Sequence, residues 1–329
     1  MSIEEIAQKM VADHKGLLAA DESTSSIKKK LEKYNIEDSV ENHQRYREML
    51  FTAEGLSEYI SGVIMYDETF RQTTRDGKPF REFLSEKGIL PGIKVDKGTI
   101  DAPLHPGEKI TEGFDGLRDR LKEYSEMGAK FTKWRAVISI DDGVPSTSVL
   151  HINASSLALY AAFVQEAGMV PIVEPEVLMD GDHTIEQCEI VTRMVLNEVF
   201  TELIKIKVNL SGMILKPNMV ISGINCPEKA SSDEIAERTL RVFKDSVPKE
   251  VPGIVFLSGG QSTTEAIENL KVVNKMKNSD TPWVISYSYG RALQDEALAK
   301  WAGKDENVSE AQKILLETAK ADSEATKKE

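Results

Sequence analysis

"GIVFLSGGQSTTE" (Gly253–Glu265) carries the pattern that decides the fold. Its first half is apolar, β-branched and aromatic, the composition of a buried strand. Two glycines follow, then Ser262-x-x-Glu265, the residue pair that opens a helix as a capping box. Strand, glycine loop and helix start therefore lie in immediate succession. The same order recurs along the chain.

Eight short β-like runs can be read. They are "GLLAAD" (Gly16–Asp21), "GVIMYD" (Gly62–Asp67), "PGIKVD" (Pro91–Asp96), "FTKWRAVI" (Phe131–Ile138), "MVPIVEPEVL" (Met169–Leu178), "GMILKP" (Gly212–Pro217), "GIVFLSGG" (Gly253–Gly260) and "WVISYSYG" (Trp283–Gly290). Most are apolar nearly throughout, as expected for a parallel sheet covered on both faces. The stretches between them have helical period. "NASSLALYAAFVQEAG" puts Leu157, Tyr160, Ala161 and Val164 on one face and closes on Gly168. "SSDEIAERTLRVF" opens with Ser231-x-x-Glu234 and aligns Ala236, Leu240 and Phe243. Eight strand–helix units predict an α/β fold, a (β/α)8 TIM barrel, as one domain over residues 1–303. A doubly wound open sheet is the rival, weakened because no Gly-x-Gly-x-x-Gly follows the first strand. Residues 304–329 read as a charged C-terminal segment: "SEAQKILLETAK" predicts a peripheral helix and "SEATKKE" a frayed end.

Composition narrows the function. The chain has 329 residues, 40% hydrophobic and 29% charged, as in soluble globular proteins. A net charge of -13 argues against nucleic-acid binding, which needs basic patches. No run approaches the ~18 consecutive apolar residues of a membrane span. The opening "MSIEEIAQKM" is acidic and amphipathic, so the expected location is the cytoplasm, with no membrane partner. Cys188 and Cys226 form neither a Cys-x-x-Cys motif nor a disulfide framework. His14, His43, His105, His151 and His183 are scattered and read as structural, which leaves no metal-ligand set.

The informative residues are polar ones at strand ends, where barrels of this kind place their active sites. Strand side chains alternate faces, so Lys133 and Arg135 share one face, as do Glu174 and Glu176. Lys216 sits in an apolar run before Pro217. Each has a plain alternative. A strand-end lysine is commonly solvated or ion-paired, the two glutamates could meet surface lysines, and "SGGQS" could be only a tight turn. Asp21 and Asp96 could be helix N-caps. Together they are harder to explain this way, because charges inside a barrel are costly unless paired. Burial and a neighbouring cation favour the neutral form of a lysine, a nucleophile that forms a Schiff base with a ketone. Ser258, Gly259 and Gly260 lead into a helix N-terminus, and Gly290 and Arg291 stand at another; both suit phosphate. Lys94, Lys133, Arg135, Lys216 and Arg291 thus converge in an acidic protein, which favours a phosphorylated substrate.

Seven segments in order, "LLAADEST", "GIKVDKG", "FTKWR", "PIVEPEVL", "LKPNMV", "FLSGGQS" and "SYGRALQ", resemble the class I fructose-1,6-bisphosphate aldolases over about residues 4 to 303. The resemblance implies that Lys216 forms the Schiff base and that Glu174 is the acid/base for carbinolamine dehydration. Glu176 would hold the lysines in place, Lys133 would assist proton transfer, and Asp21 would act on the C4 hydroxyl. Ser258, Gly259, Gly290 and Arg291 would hold the C1 phosphate, with Ser23, Ser26, Lys94 and Arg135 near the other phosphate or the substrate chain. It implies reversible cleavage of fructose 1,6-bisphosphate to glyceraldehyde 3-phosphate and dihydroxyacetone phosphate in glycolysis and gluconeogenesis, no cofactor or metal, and a homo-oligomer. The sequence departs from the family in lacking a terminal tyrosine after "EATKKE", in Ser25 where glycine is usual and in Lys30 where many relatives have arginine. With the shorter N-terminus, these suggest a bacterial-type member. The alternatives are a transaldolase-like Schiff-base enzyme and a non-enzymatic scaffold on the same fold.

Overall fold

The computed structural model describes residues 1–141 and 143–328. Its strands are β1 (Gly16–Ala20), β2 (Ile60–Met65), β3 (Leu90–Lys94), β4 (Thr99–Asp101), β5 (Lys109–Thr111), β6 (Phe131–Ile138), β7 (Val170–Val177), β8 (Ile214–Leu215), β9 (Gly253–Phe256) and β10 (Val284–Tyr289). Eight of them close a barrel in the order β1-β2-β3-β6-β7-β8-β9-β10, every pair parallel. Each run read as a strand supplies one stave of this (β/α)8 barrel. The antiparallel pair β4–β5 was not foreseen: its strands are short, and "APLHPGE" between them reads as a loop.

Parity along the strands builds two cores. Inward-facing Leu17, Phe131, Val170, Ile172, Ile214 and Val255 fill the barrel, and Ile6, Ala7 and Met10 of the helix Ile3–Met10 pack onto them. Phe131 occupies the space that a Cβ at Gly62 would need, at 2.9 Å from its ring. Outward-facing Trp134, Val173, Leu215, Ile254 and Phe256 belong to the second core, shared with the surrounding helices. Above this apolar interior stand the charged side chains, with Lys94 and Lys133 level with each other in the pairing of β3 with β6.

The helix over Thr147–Glu166 buries Leu157, Tyr160, Ala161 and Val164, and Gly168 (φ 75°) follows it in the left-handed region. By length and composition this helix could cross a membrane; here it packs on β6, β7 and the helix Ile185–Lys205. The Ser231 cap forms, but Glu234 pairs with Arg238 at 2.9 Å, and the reciprocal half of the box is not made.

The C-terminal helix Val308–Ala325 packs on the helices Arg291–Trp301, Thr263–Met276 and Val40–Phe51. The expectation that "SEATKKE" frays is corrected at its start. Ser323 and Ala325 are helical and buried, and Ser323 Oγ donates to the His14 carbonyl at 2.8 Å. Small residues let the backbone approach closely, and the polar composition of the segment hides that packing. Glu329 lies outside the described residues.

Candidate active site

A cavity of about 370 Å³ opens at the C-terminal ends of the strands, within the ~300–1,000 Å³ usual for small-molecule sites. Lys216, Glu174, Lys133, Asp21, Glu176, Ser258, Gly259, Gly290, Arg291, Ser23, Ser26, Lys94 and Arg135 all line it. Sequence reasoning had selected each of them, from seven different strand ends.

Pro217 carries no N–H, and the regular strand β8 stops at Leu215. The ladder nevertheless reaches one residue further, because Lys216 N–H donates to the Val173 carbonyl at 2.8 Å. That bond places Lys216 at the rim, 4% exposed. Its Nζ lies 3.1 Å from Glu174 Oε1. Glu174 Oε2 lies 3.1 Å from Lys133 Nζ, and Lys133 reaches Asp21 Oδ2 at 2.7 Å. Lys216, Glu174, Lys133 and Asp21 therefore form a continuous chain of alternating charge. The Glu174–Lys133 contact is an ion pair without hydrogen-bond alignment, so Oε2 keeps accepting capacity.

Burial by itself raises the Glu174 carboxyl; the cations Lys133, Lys216 and Arg135 outweigh it and bring it down to about 2. Burial likewise opposes charge on Lys133, but Asp21, Glu174 and Asp96 hold its ammonium well above the usual lysine range. The resting cluster thus carries ionised Glu174 and protonated Lys133.

One expectation and one plain alternative are overturned. Glu176 does not hold the lysines: its Oε2 accepts from Arg135 Nε, and Glu174 is the carboxylate between Lys133 and Lys216. Both glutamates share the inward face, but they differ in depth, so the deeper one meets the lysines. Asp21 and Asp96 are not helix caps. Asp21 pairs with Lys133, and Asp96 pairs with Lys94 at 2.5 Å and accepts from Gly98 N–H at 3.1 Å. The N-cap position after β1 is Ser23.

The opposite wall has the features of an anion site. Ser262 caps the helix Thr263–Met276 with Glu265 in a complete capping box, and Ser258 and Gly259 precede it. A Cβ at Gly259 would lie 2.8 Å from Leu257 Cδ1 and 3.1 Å from Glu176 Oε1, so a side chain there would press on the ends of two others. Gly290 is the N-cap residue of the helix Arg291–Trp301, and Arg291 is exposed to the cavity mouth. Across the cavity, the Ser23 and Ser26 hydroxyls stand 3.1 Å apart. Ser25 Oγ lies 3.2 Å from Ser23 Oγ, so the replacement of glycine adds a hydroxyl to this turn.

Sequence reasoning missed five lining residues: Ala19, Glu22, Gly98, Thr99 and Leu257. Gly98 and Thr99 arrive with the unforeseen β4–β5 hairpin. Glu22 stood in plain view between Asp21 and Ser23, and its position between two selected residues was the available signal. Among the described residues, His151, Glu198 and Glu202 bring ligand atoms within 4.8 Å of one another. They lie on the outer helices Thr147–Glu166 and Ile185–Lys205 and do not line the cavity.

A family model for fructose-bisphosphate aldolase class-I matches residues 2–329. A probable fructose-bisphosphate aldolase class 1 of Xanthomonas campestris is 51% identical over 325 residues, covering 97% of this chain and 96% of the relative. The cytosolic fructose-bisphosphate aldolase 4 of Arabidopsis thaliana is 50% identical over 312 residues, covering 95% and 79%. The structure of the Plasmodium falciparum fructose-bisphosphate aldolase, solved in complex with TRAP and a small-molecule inhibitor, superimposes with a TM-score of 0.96 at 46% identity, covering 98% of this chain and 93% of that one.

Proposed function

The chain belongs to the class I fructose-bisphosphate aldolase family, and from that premise we propose how its own residues carry out the cleavage. The protein is a Schiff-base lyase of glycolysis and gluconeogenesis. It cleaves fructose 1,6-bisphosphate reversibly to glyceraldehyde 3-phosphate and dihydroxyacetone phosphate.

One observation carries the assignment of roles: Lys216 is buried at the rim with Glu174 at 3.1 Å, itself 3.1 Å from Lys133. Lys216 Nζ gives up a proton and attacks C2 of the ketose, forming a carbinolamine. Glu174 is the nearest base in that chain. Once Lys216 is no longer a cation, Glu174 loses one of the charges that hold its carboxyl down, and its proton affinity rises. It can then deliver a proton to the departing hydroxyl, and water leaves as the iminium forms. Asp21, aided by Lys133, removes the C4 hydroxyl proton. The C3–C4 bond breaks, its electron pair flows into the iminium, and the aldehyde product departs. The enamine takes a proton at C3, and hydrolysis frees the second product and Lys216. Arg135 and Glu176 neutralise one another beside this chain and fix the wall that carries Gly259.

Ser258, Gly259, Gly290 and Arg291 hold the C1 phosphate at two helix N-termini. Ser23, Ser26 and Lys94 face the other phosphate. Borohydride reduction in the presence of dihydroxyacetone phosphate, followed by peptide mass mapping, tests the central role. The adduct is expected on Lys216, and label on another lysine would refute it.

The same reading extends to organisation. Residues 1–303 form the barrel unit and 304–329 an appended helix, a division supported by the left-handed break at Ala302 (φ 47°) and Gly303 (φ 76°). The active form is a homo-oligomer, supported by exposed Ile152, Leu159, Ile190, Met194 and Ile204 on two adjoining outer helices. Light scattering coupled to size exclusion tests this, and a monomer would refute it. The enzyme acts in the cytoplasm, in keeping with relatives named cytosolic or cytoplasmic; cell fractionation tests that placement.

A further inference from the structure

Glu22 is out of place. It lines the cavity between Asp21 and Ser23, on the wall where the serine pair is read as facing a phosphate. A carboxylate beside a phosphate dianion repels it, and the repulsion is poorly screened in a partly desolvated cleft. Burial would raise the Glu22 carboxyl and so remove the charge. Instead Arg47 and Lys30 outweigh burial and bring it down to about 2. The charge is permanent and has to be cancelled in place.

The cancelling groups are unequal. Lys30 Nζ donates to Glu22 Oε1 at 2.8 Å, but it also lies 3.3 Å from Asp295 Oδ1 and donates to Gln294 Oε1 at 3.3 Å. Its charge is divided between two carboxylates. Arg47 is fully buried, and its Nη2 donates to Glu22 Oε2 at 2.8 Å. Its Nε and Nη1 have no hydrogen-bond partner among the described residues, and its guanidinium lies 5.2 Å from the Tyr46 ring centre. A buried guanidinium with two idle nitrogens is an expensive way to stabilise a fold. Glutamine at 22 with an apolar residue at 47 would fill the same space at lower cost. The arrangement makes sense if the cavity wall must be neutral where Glu22 stands. Glu22 and Asp295 balance Lys30 and Arg47 one for one; without Arg47 the wall carries an uncancelled negative charge.

We infer that Arg47 is a positioning and specificity residue: it holds and neutralises Glu22, so that the Ser23–Ser26 end of the cavity accepts a phosphate, and it thereby favours bisphosphorylated over monophosphorylated ketoses. This rests on the reading of Ser23 and Ser26 given above. Arg47 touches no substrate and acts only through Glu22. Its removal affects a ligand in proportion to the charge brought to that end.

The test is steady-state kinetics of Arg47→Met, Glu22→Gln, the double variant and Ser26→Ala on fructose 1,6-bisphosphate and fructose 1-phosphate. Arg47→Met is expected to raise KM for the bisphosphate about tenfold or more, while kcat/KM for the monophosphate stays within about twofold. The double variant removes both charges and is expected to return the bisphosphate KM to within about threefold of the parent. Equal losses on both substrates in Arg47→Met, or a double variant no better than Arg47→Met, overturn the inference, since a merely structural pair would behave that way. Should Arg47→Met not fold, Glu22→Gln decides: an unchanged or lower bisphosphate KM supports the inference, and an equal loss on both substrates overturns it. Ser26→Ala separates the two readings. An unchanged bisphosphate KM in that variant refutes the serine assignment, whereas failure of the Glu22–Arg47 cycle with an impaired Ser26→Ala refutes only the role of Arg47.

Discussion

Two buried carboxylates, Glu174 at the rim and Asp322 in the C-terminal helix, meet opposite fates. Glu174 faces Lys133 and Lys216, each at 3.1 Å, and its carboxyl falls to about 2. Asp322 is 1% exposed, neither of its oxygens has a hydrogen-bond partner among the described residues, and burial drives its carboxyl well above the ordinary range. Burial pushes both upward; the neighbouring charge decides the final sign. A buried acid with cations around it is held ionised, and one without them is driven towards its neutral form at an energetic cost.

Removing a cation from the rim should have the largest effect. Lys216→Met deletes the proposed nucleophile, and turnover is expected to fall by about 10⁴-fold or more in a coupled triose-phosphate assay. Retained turnover would refute the Schiff-base reading altogether. Removing the rim acid comes next. Glu174→Gln keeps the shape but cannot carry a proton, and kcat should drop about 10²–10⁴-fold while Lys216 can still be trapped by borohydride.

The third test pits the two acids against each other by pH. Glu174 is lowered when folded, so its stabilisation is present above its usual value of 4.5 and is lost as pH falls towards about 2. Asp322 is raised, so its stabilisation is complete below its usual value of 3.8 and is lost as pH rises through the folded value. Asp322→Asn should therefore stabilise the protein at pH 8 by about 1–3 kcal/mol and have little effect near pH 3. Denaturant melts at the two pH values measure this; an equal effect at both would mean that the carboxyl has no shifted titration.

The smallest effect belongs to a carboxylate in neither situation. Glu166 meets Arg118 at 2.8 Å with both side chains more than half exposed. Water screens such a pair, and Arg118→Ala should change stability by no more than about 0.5–1 kcal/mol. A larger loss would show that exposure is a poor guide to how charges are partnered here.

Much of this site was legible in the chain. Eight apolar runs gave the barrel staves, and period-2 alternation put Lys133 with Arg135 and Glu174 with Glu176 on one face. The glycine loop before Ser262 and the Gly290–Arg291 pair identified the two helix starts. Less visible were contacts between strands or helices distant in the chain. Arg47 reads as one polar residue in an amphipathic helix, and nothing local reveals that it is fully buried against Glu22. Asp322 reads as a surface acid near the end of a charged segment.

The sequence by itself determined the eight strands, the face on which each rim charge stands and the family, and it singled out Lys216 as the candidate nucleophile. Only the closed barrel decided which carboxylate meets which cation: Glu174 rather than Glu176 reaches the lysines, Asp21 pairs with Lys133, and Arg47 neutralises Glu22. Face is a local property, fixed by backbone alternation within one strand. Partnership depends on the depth and stagger at which separate strands and helices come to rest, and that is set by packing of the whole core.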